Sequence, residues 1–202
     1  VTATDAEGDE ITFTVSGTEL AITSAGVLTF VSAPDFETKF SYTATVTASD
    51  GVNETTQDIT VSVTNVNDNA PQLTSAALLG SVDENQTAIG TVTATDADGD
   101  AVTFTISGTE IAITSAGVLT FVSAPDYETK SSYTATVTAS DGVYSTTQDI
   151  TIGLTNLNDN NPGFTSDSTF SAAENQTAIG TVTASDADGD AVTFTISGTE
   201  LE

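Results

Sequence analysis

Apolar and polar residues alternate with a period of two along most of this chain. In Thr91–Thr95 (TVTAT) and Val102–Ile106 (VTFTI) the alternation puts Val92, Phe104 and Ile106 on one side and threonines on the other, as in strands with one dry and one wet face. Tyr133, Ala135, Val137 and Ala139 form another inward row, and Ile150, Ile152 and Leu154 a further one. With strands near Leu78–Val82, Ile111–Thr114 and Val118–Val122, the pattern predicts seven short strands in this stretch. Asp98-Gly99, Ala116-Gly117 and Asp141-Gly142 mark turns between them. Pro34, Pro71, Pro125 and Pro162 fall outside central strands, where a missing N–H is tolerated. No segment carries helical spacing.

The pattern repeats. TVSGTELAITSAGVLTFVSAPDFETK, from Thr14, returns from Thr105 with three conservative changes, and SYTATVTASDGV recurs from Ser41 to Ser132. NVNDN at Asn65 returns as NLNDN at Asn156, and ENQTAIGTVTA at Glu84 returns at Glu174. A period of that size is a whole small domain, longer than the unit of a helical solenoid. The expected division is one complete repeat, 72–162, between two partial ones: 1–71, lacking its first strand, and 163–202, holding the first three. Seven strands per unit and no helix predict tandem all-β sandwiches of Greek-key, immunoglobulin-like type.

Composition narrows the chemistry. The 202 residues carry a formal charge of −27, with Lys39 and Lys130 the only basic side chains and no Cys, His, Met or Trp. With almost nothing to neutralise phosphate, nucleic acid is excluded as a partner, and the charge points to cations. Without disulfides, a structural metal is the natural staple for small sandwiches. No apolar run approaches the ~20 residues of a membrane span. With no signal peptide and Val1 in first place, the sequence is expected to be a window of a longer chain.

The carboxylates gather in short motifs at strand ends, where several loops of a sandwich meet. Oxygen donors from several loops are what Ca²⁺ requires. The motifs are Glu84 and Glu174 before Asn; the pairs Asp96/Asp98 and Asp186/Asp188; the pairs Asp35/Glu37 and Asp126/Glu128; the lone Asp50 and Asp141 before Gly; and the NVNDN and NLNDN peptides ahead of a proline. Together, in this order and at domain spacing, they resemble a cadherin repeat of the kind found in large bacterial surface proteins. The resemblance covers essentially the whole chain.

The resemblance implies sandwiches joined by calcium-binding linkers, with about three Ca²⁺ at each junction. One junction would use Asp35, Glu37, Asn67, Asp68, Asn69, Asp96, Asp98 and Asp141. The next would use Glu84, Asp126, Glu128, Asn158, Asp159, Asn160, Asp186 and Asp188. Asn65 and Asn156 stand where the family usually has Asp, so one ion there is expected to bind more weakly. Asp5-Ala6-Glu7 replaces the usual pair in the first repeat but retains ligating groups. With no Trp, adhesion by exchange of a Trp-bearing strand is excluded in this window. The implied function is a calcium-stiffened rod of an extracellular or cell-surface adhesin or fibre, its partners the neighbouring repeats. The alternative is a calcium-dependent module for polysaccharide or homophilic adhesion.

Other readings of the same residues are weaker. Asp-Gly pairs alone would be turn formers, and the repeated constellation is what speaks for metal. DADGD resembles an EF-hand loop, but its Gly is misplaced and a strand follows where a helix belongs. Outward threonines suggest an ice-binding face but are most simply the wet side of a sheet. Asn53, Asn85 and Asn175 begin glycosylation sequons, usually unused in a bacterial protein. An enzyme is not expected: His and Cys are missing, and Asp126 with Glu128 lacks the aromatic platform of a glycosidase.

Overall fold

A computed structural model describes residues 1–198, and among them there is no helix. The chain divides into two compact units: Val1–Ala70 with Asp96–Asp100, and Pro71–Thr95 with the residues from Ala101 onward.

The first unit holds β1 (Thr12–Val15), β2 (Leu20–Ile22), β3 (Leu28–Phe30), β4 (Ser41–Ser49) and β5 (Glu54–Ser62). β4 pairs antiparallel with β1 on one side and β5 on the other, and β2 pairs with β3. Leu20 and Val46 are its fully buried apolar side chains.

The second unit opens with β6 (Gln72–Leu73), β7 (Leu78–Asp83), β8 (Ala88–Thr91) and β9 (Ala94–Thr95). It continues with β10 (Thr103–Ile106), β11 (Ile111–Ile113), β12 (Val118–Phe121), β13 (Ser132–Ser140) and β14 (Ser145–Thr155). One sheet has the order β10-β13-β14-β7, with β7 parallel to β14, and the other has the order β11-β12-β8. Val137, Ala139, Ile150, Ile152 and Leu154 from the first sheet meet Ile111, Leu119 and Phe121 from the second, with Val92 and Phe104 closing the core. Val137 and Ile152 are 0% exposed, so the period-two pattern of the two long strands translates directly into an inner face.

Two strands differ from the sequence expectation. The strand expected at Thr91–Thr95 begins at Ala88 and breaks at Val92-Thr93. Thr91 still pairs with β12, but Ala94 and Thr95 pair with β6, so the chain changes sheets midway. The first strand is divided likewise between β6, which pairs with β9, and β7, which pairs with β14. The turn at Ala116-Gly117 serves this break: Gly117, at φ +85°, accepts from the Val92 N–H at 2.9 Å, and any Cβ there would collide with the Val92 carbonyl oxygen.

Both lysines do the same work. Lys39 bonds Glu19 at 2.6 Å and Lys130 bonds Glu110 at 2.6 Å, each ammonium lying over the ring of Tyr42 or Tyr133. These pairs are half exposed and contribute little beyond tying one hairpin to the next strand.

Beyond Pro162, β15 (Gly163–Phe164) and β16 (Ala184–Ser185) pair over two residues each. The longer strands the sequence marks there are not formed among the described residues. Their counterparts β7, β8 and β10 pair with β14, β12 and β13, and residues 163–202 contain no equivalents of those three.

Candidate metal centre

The local structure of each acidic motif follows from its own hydrogen bonds. Asp35 opens a turn after β3: Oδ1 accepts from the N–H of Glu37 (3.0 Å) and Thr38 (3.2 Å), and Oδ2 from the Thr38 hydroxyl (2.9 Å). Asp126 opens the matching turn, held by the N–H (3.2 Å) and hydroxyl (2.8 Å) of Thr129. The threonine hydroxyls, foremost, keep both aspartates below the ordinary carboxylate range. In the β4–β5 hairpin Asp50 accepts from the N–H of Asn53 and Val52, which lowers its pKa; Asp141 accepts from Val143 and Tyr144, both at 2.6 Å. Asp5 caps its own turn through the N–H groups of Glu7, Gly8 and Asp9, with Glu7 exposed.

Two sets of carboxylates converge. In the first unit, oxygens of Glu37, Asp68 and Asp98 lie within 4.8 Å of one another; in the second, those of Glu84, Glu128 and Asp159 do. The boundary peptides deliver Asp68 and Asp159 in the same way. Asp98 Oδ2 accepts from the backbone of Asp68 (3.2 Å) and Asn69 (2.9 Å), while Asp188 Oδ2 accepts from Asp159 (3.2 Å) and Asn160 (2.8 Å). Asn65 and Asn156 donate their amides to the carbonyls of Asp98 and Asp188, leaving their side-chain oxygens as the groups that could ligate.

Crowding marks these sites electrostatically. Glu128 titrates above its usual range, first because water is lost around its carboxyl and then because Glu84, Asp188 and Asp126 press negative charge on it. Glu37 is raised for the same first reason, with Asp98 and Asp35 adding to it. Asp98 goes the other way: desolvation opposes ionisation, but the Asn69 backbone and amide, a hydrogen bond shared with Glu37, and the Asp68 N–H outweigh it. Asp188 is lowered chiefly by the Asn160 amide.

Among the described residues Glu84 is the one fully buried charged side chain, 2% exposed. Its Oε2 accepts from Tyr127 N–H and its Oε1 from Leu157 N–H, both at 2.7 Å. Glu174 is exposed, and so is Asn158.

The donor set suits a hard divalent cation. Every converging group offers oxygen, and the Asn67 Oδ1 and Asp96 Oδ2 atoms are buried with no hydrogen-bond partner, which is costly unless something electropositive meets them. Three residues outside the expected ligands also belong to this setting. Asp100 lies with Asp96 and Asp98, and Asp190 with Asp186 and Asp188, as the third acid of DADGD. Asn85, at φ +64°, donates its amide to Asp159. The third aspartate was visible in the string itself, whereas the Asn85 contact spans 74 positions and leaves no local signal.

No family model matches the chain. Mouse Protocadherin Fat 4 is 34% identical over 86% of the chain, and human Cadherin-23 is 33% identical over 80%. The chain spans only 4% and 5% of those proteins. Among solved structures, mouse Cadherin-23 EC22-24 superposes with a TM-score of 0.68 at 25% identity, covering 92% of this chain and 67% of that one. Protocadherin gammaB7 EC3-6 superposes with a TM-score of 0.75 at 24% identity, over 91% of this chain and 52% of that one.

Proposed function

This chain is built of cadherin-like repeats, and from that premise we propose that its carboxylate clusters bind Ca²⁺ and thereby stiffen an extracellular stalk that supports adhesion. The repeats of this reading are residues 1–71, 72–162 and 163–202, with neighbouring repeats as one another's partners. The observation that carries it is that Glu37 with Asp68, and their repeat equivalents Glu128 with Asp159, each meet a third carboxylate, Asp98 in the first unit and Glu84 in the second.

Bound Ca²⁺ supplies positive charge and accepts six to eight oxygens at ~2.3–2.6 Å. What the chain contributes is convergence. Asp68 comes from a boundary peptide, Glu37 from a turn well before it and Asp98 from a turn well after it, so anything held by all three restrains three distant segments at once. Without a counter-charge these carboxylates repel one another, and this adds to desolvation, the larger cause, in raising the pKa of Glu37 and Glu128. Asn67 Oδ1 and Asp96 Oδ2 stand ready as further ligands of the first site. Asp35, Asp126 and Asp186 complete the sets, each with lone pairs beyond those its own turn uses. A cation that binds only the converged arrangement stabilises it by linkage.

The test is thermal unfolding of the 202-residue chain in EDTA, in millimolar CaCl₂, and in NaCl of matched ionic strength. A steep rise in Tm with calcium alone is expected. Equal melting in EDTA and calcium ends the metal reading.

A further inference from the structure

We propose that the side-chain amides of Asn69 and Asn160 are positioning groups that hold each carboxylate cluster together in the cation-free chain. The resemblance gives both residues a ligand's role; their geometry gives them a different one. Asn160 Nδ2 lies 2.8 Å from Asp159 Oδ1, 3.0 Å from Asp188 Oδ1 and 3.3 Å from Glu128 Oε2. Asn69 Nδ2 repeats the arrangement at 2.8 Å from Asp68 Oδ1 and 3.1 Å from Asp98 Oδ1. Ionised carboxylates only accept hydrogen bonds, so an amide surrounded by them faces inward with its NH₂ group, and its oxygen lies on the other side of the side-chain carbon. The same residues also give their backbone N–H to Asp98 and Asp188.

One residue therefore joins three segments: the boundary peptide, the turn carrying Asp186–Asp190, and in the second unit the turn carrying Glu128. It supplies partial positive charge where a cation would otherwise be the only source. That the arrangement forms separately in both units makes it a property of the repeat. An Asp at this position, equally short and equally able to ligate, would add to the repulsion the amide relieves. The proposal shares residues with the calcium reading, but its first measurement is made in chelator and stands or falls apart from it.

The experiment measures amide exchange at Asp159, whose N–H is held by Asp188, in the full chain and in Asn160→Ala and Asn160→Asp, each with EDTA and with saturating CaCl₂. With EDTA, Asn160→Ala is expected to speed exchange about fivefold, the worth of one ordinary hydrogen bond, and Asn160→Asp more than that. With calcium the Asn160→Ala effect should shrink below about twofold and Asn160→Asp should return to the wild-type rate, because the cation takes over the counter-charge. Unchanged exchange in EDTA with a loss in calcium would make Asn160 a ligand and overturn the proposal. Equal acceleration in both conditions would reduce the residue to loop support and overturn it too, as would slower exchange of Asn160→Asp in EDTA.

Discussion

Glu84 provides the sharpest test, because the resemblance makes it a metal ligand and the structure makes it a stitch as well. It follows β7 and reaches both the turn after β12 and the peptide after β14, accepting one backbone N–H from each at 2.7 Å. At 2% exposure, water has little access to replace it. Glu84→Ala would leave the N–H groups of Tyr127 and Leu157 unsatisfied, at about 1–3 kcal/mol each, or about 2–6 kcal/mol together. For a domain of this size each kcal/mol moves Tm by about 4–8 °C, so a fall of at least about 8 °C is expected. Glu84→Gln retains the volume and one acceptor but turns an NH₂ towards one of the two donors, so it should lie between. The assay is calorimetry of the second unit's transition in EDTA, where a pure ligand would be silent. If Glu84→Ala melts within about 2 °C of wild type in EDTA, the buried carboxylate is not holding those strands and the reasoning fails.

Three further outcomes are expected. Glu128 has its pKa raised on folding, so its contribution to the cation-free fold is fully present below the unfolded glutamate value, about 4.3, and is lost as pH rises through the raised value. In EDTA, Glu128→Gln should therefore melt above wild type at neutral pH, with the gap closing in acid; a gap that widens in acid contradicts the sign. Asp159→Ala removes an exposed carboxylate from the boundary peptide without touching the core, so multi-repeat chains followed by small-angle scattering should need more calcium than wild type to become extended; identical titrations would remove Asp159 from the site. Leu119, 1% exposed between the two sheets, should cost about 2–5 kcal/mol as Leu119→Ala, while its half-buried counterpart Leu28 should cost clearly less as Leu28→Ala; urea unfolding of each unit measures both, and equal losses would mean the two cores are equally closed.

Much of the fold was legible because strand periodicity is a local property. The alternation in SYTATVTAS and in TTQDITIGL fixes which side chains of β13 and β14 face inward, and Val137, Ala139, Ile150 and Ile152 are among the driest positions of the core. The carboxylate motifs were legible for a related reason: each turn that presents them is closed by its own neighbours, as Thr38 closes on Asp35 and Thr129 on Asp126. The strand breaks were not legible. TVTAT alternates without interruption through Val92-Thr93, and only the competition between β12 and β6 for its backbone decides where it changes sheets.

The sequence by itself determined the repeat, the all-β class, the inward faces, the oxygen-only donor chemistry and the acidic motifs, since each depends on residues a few positions apart or on exact recurrence. Tertiary structure alone decided which carboxylates meet. Glu37, Asp68 and Asp98, or Glu84, Glu128 and Asp159, are separated by tens of residues, and their convergence is set by which turns the paired strands bring side by side. It also decided what each group does there: Asn160 presents hydrogens to three carboxylates, and Glu84 binds two backbone N–H groups. The physical reason is that an amide or a carboxylate has the same letters whichever way it faces, and its role is fixed by the charges and donors that folding places around it.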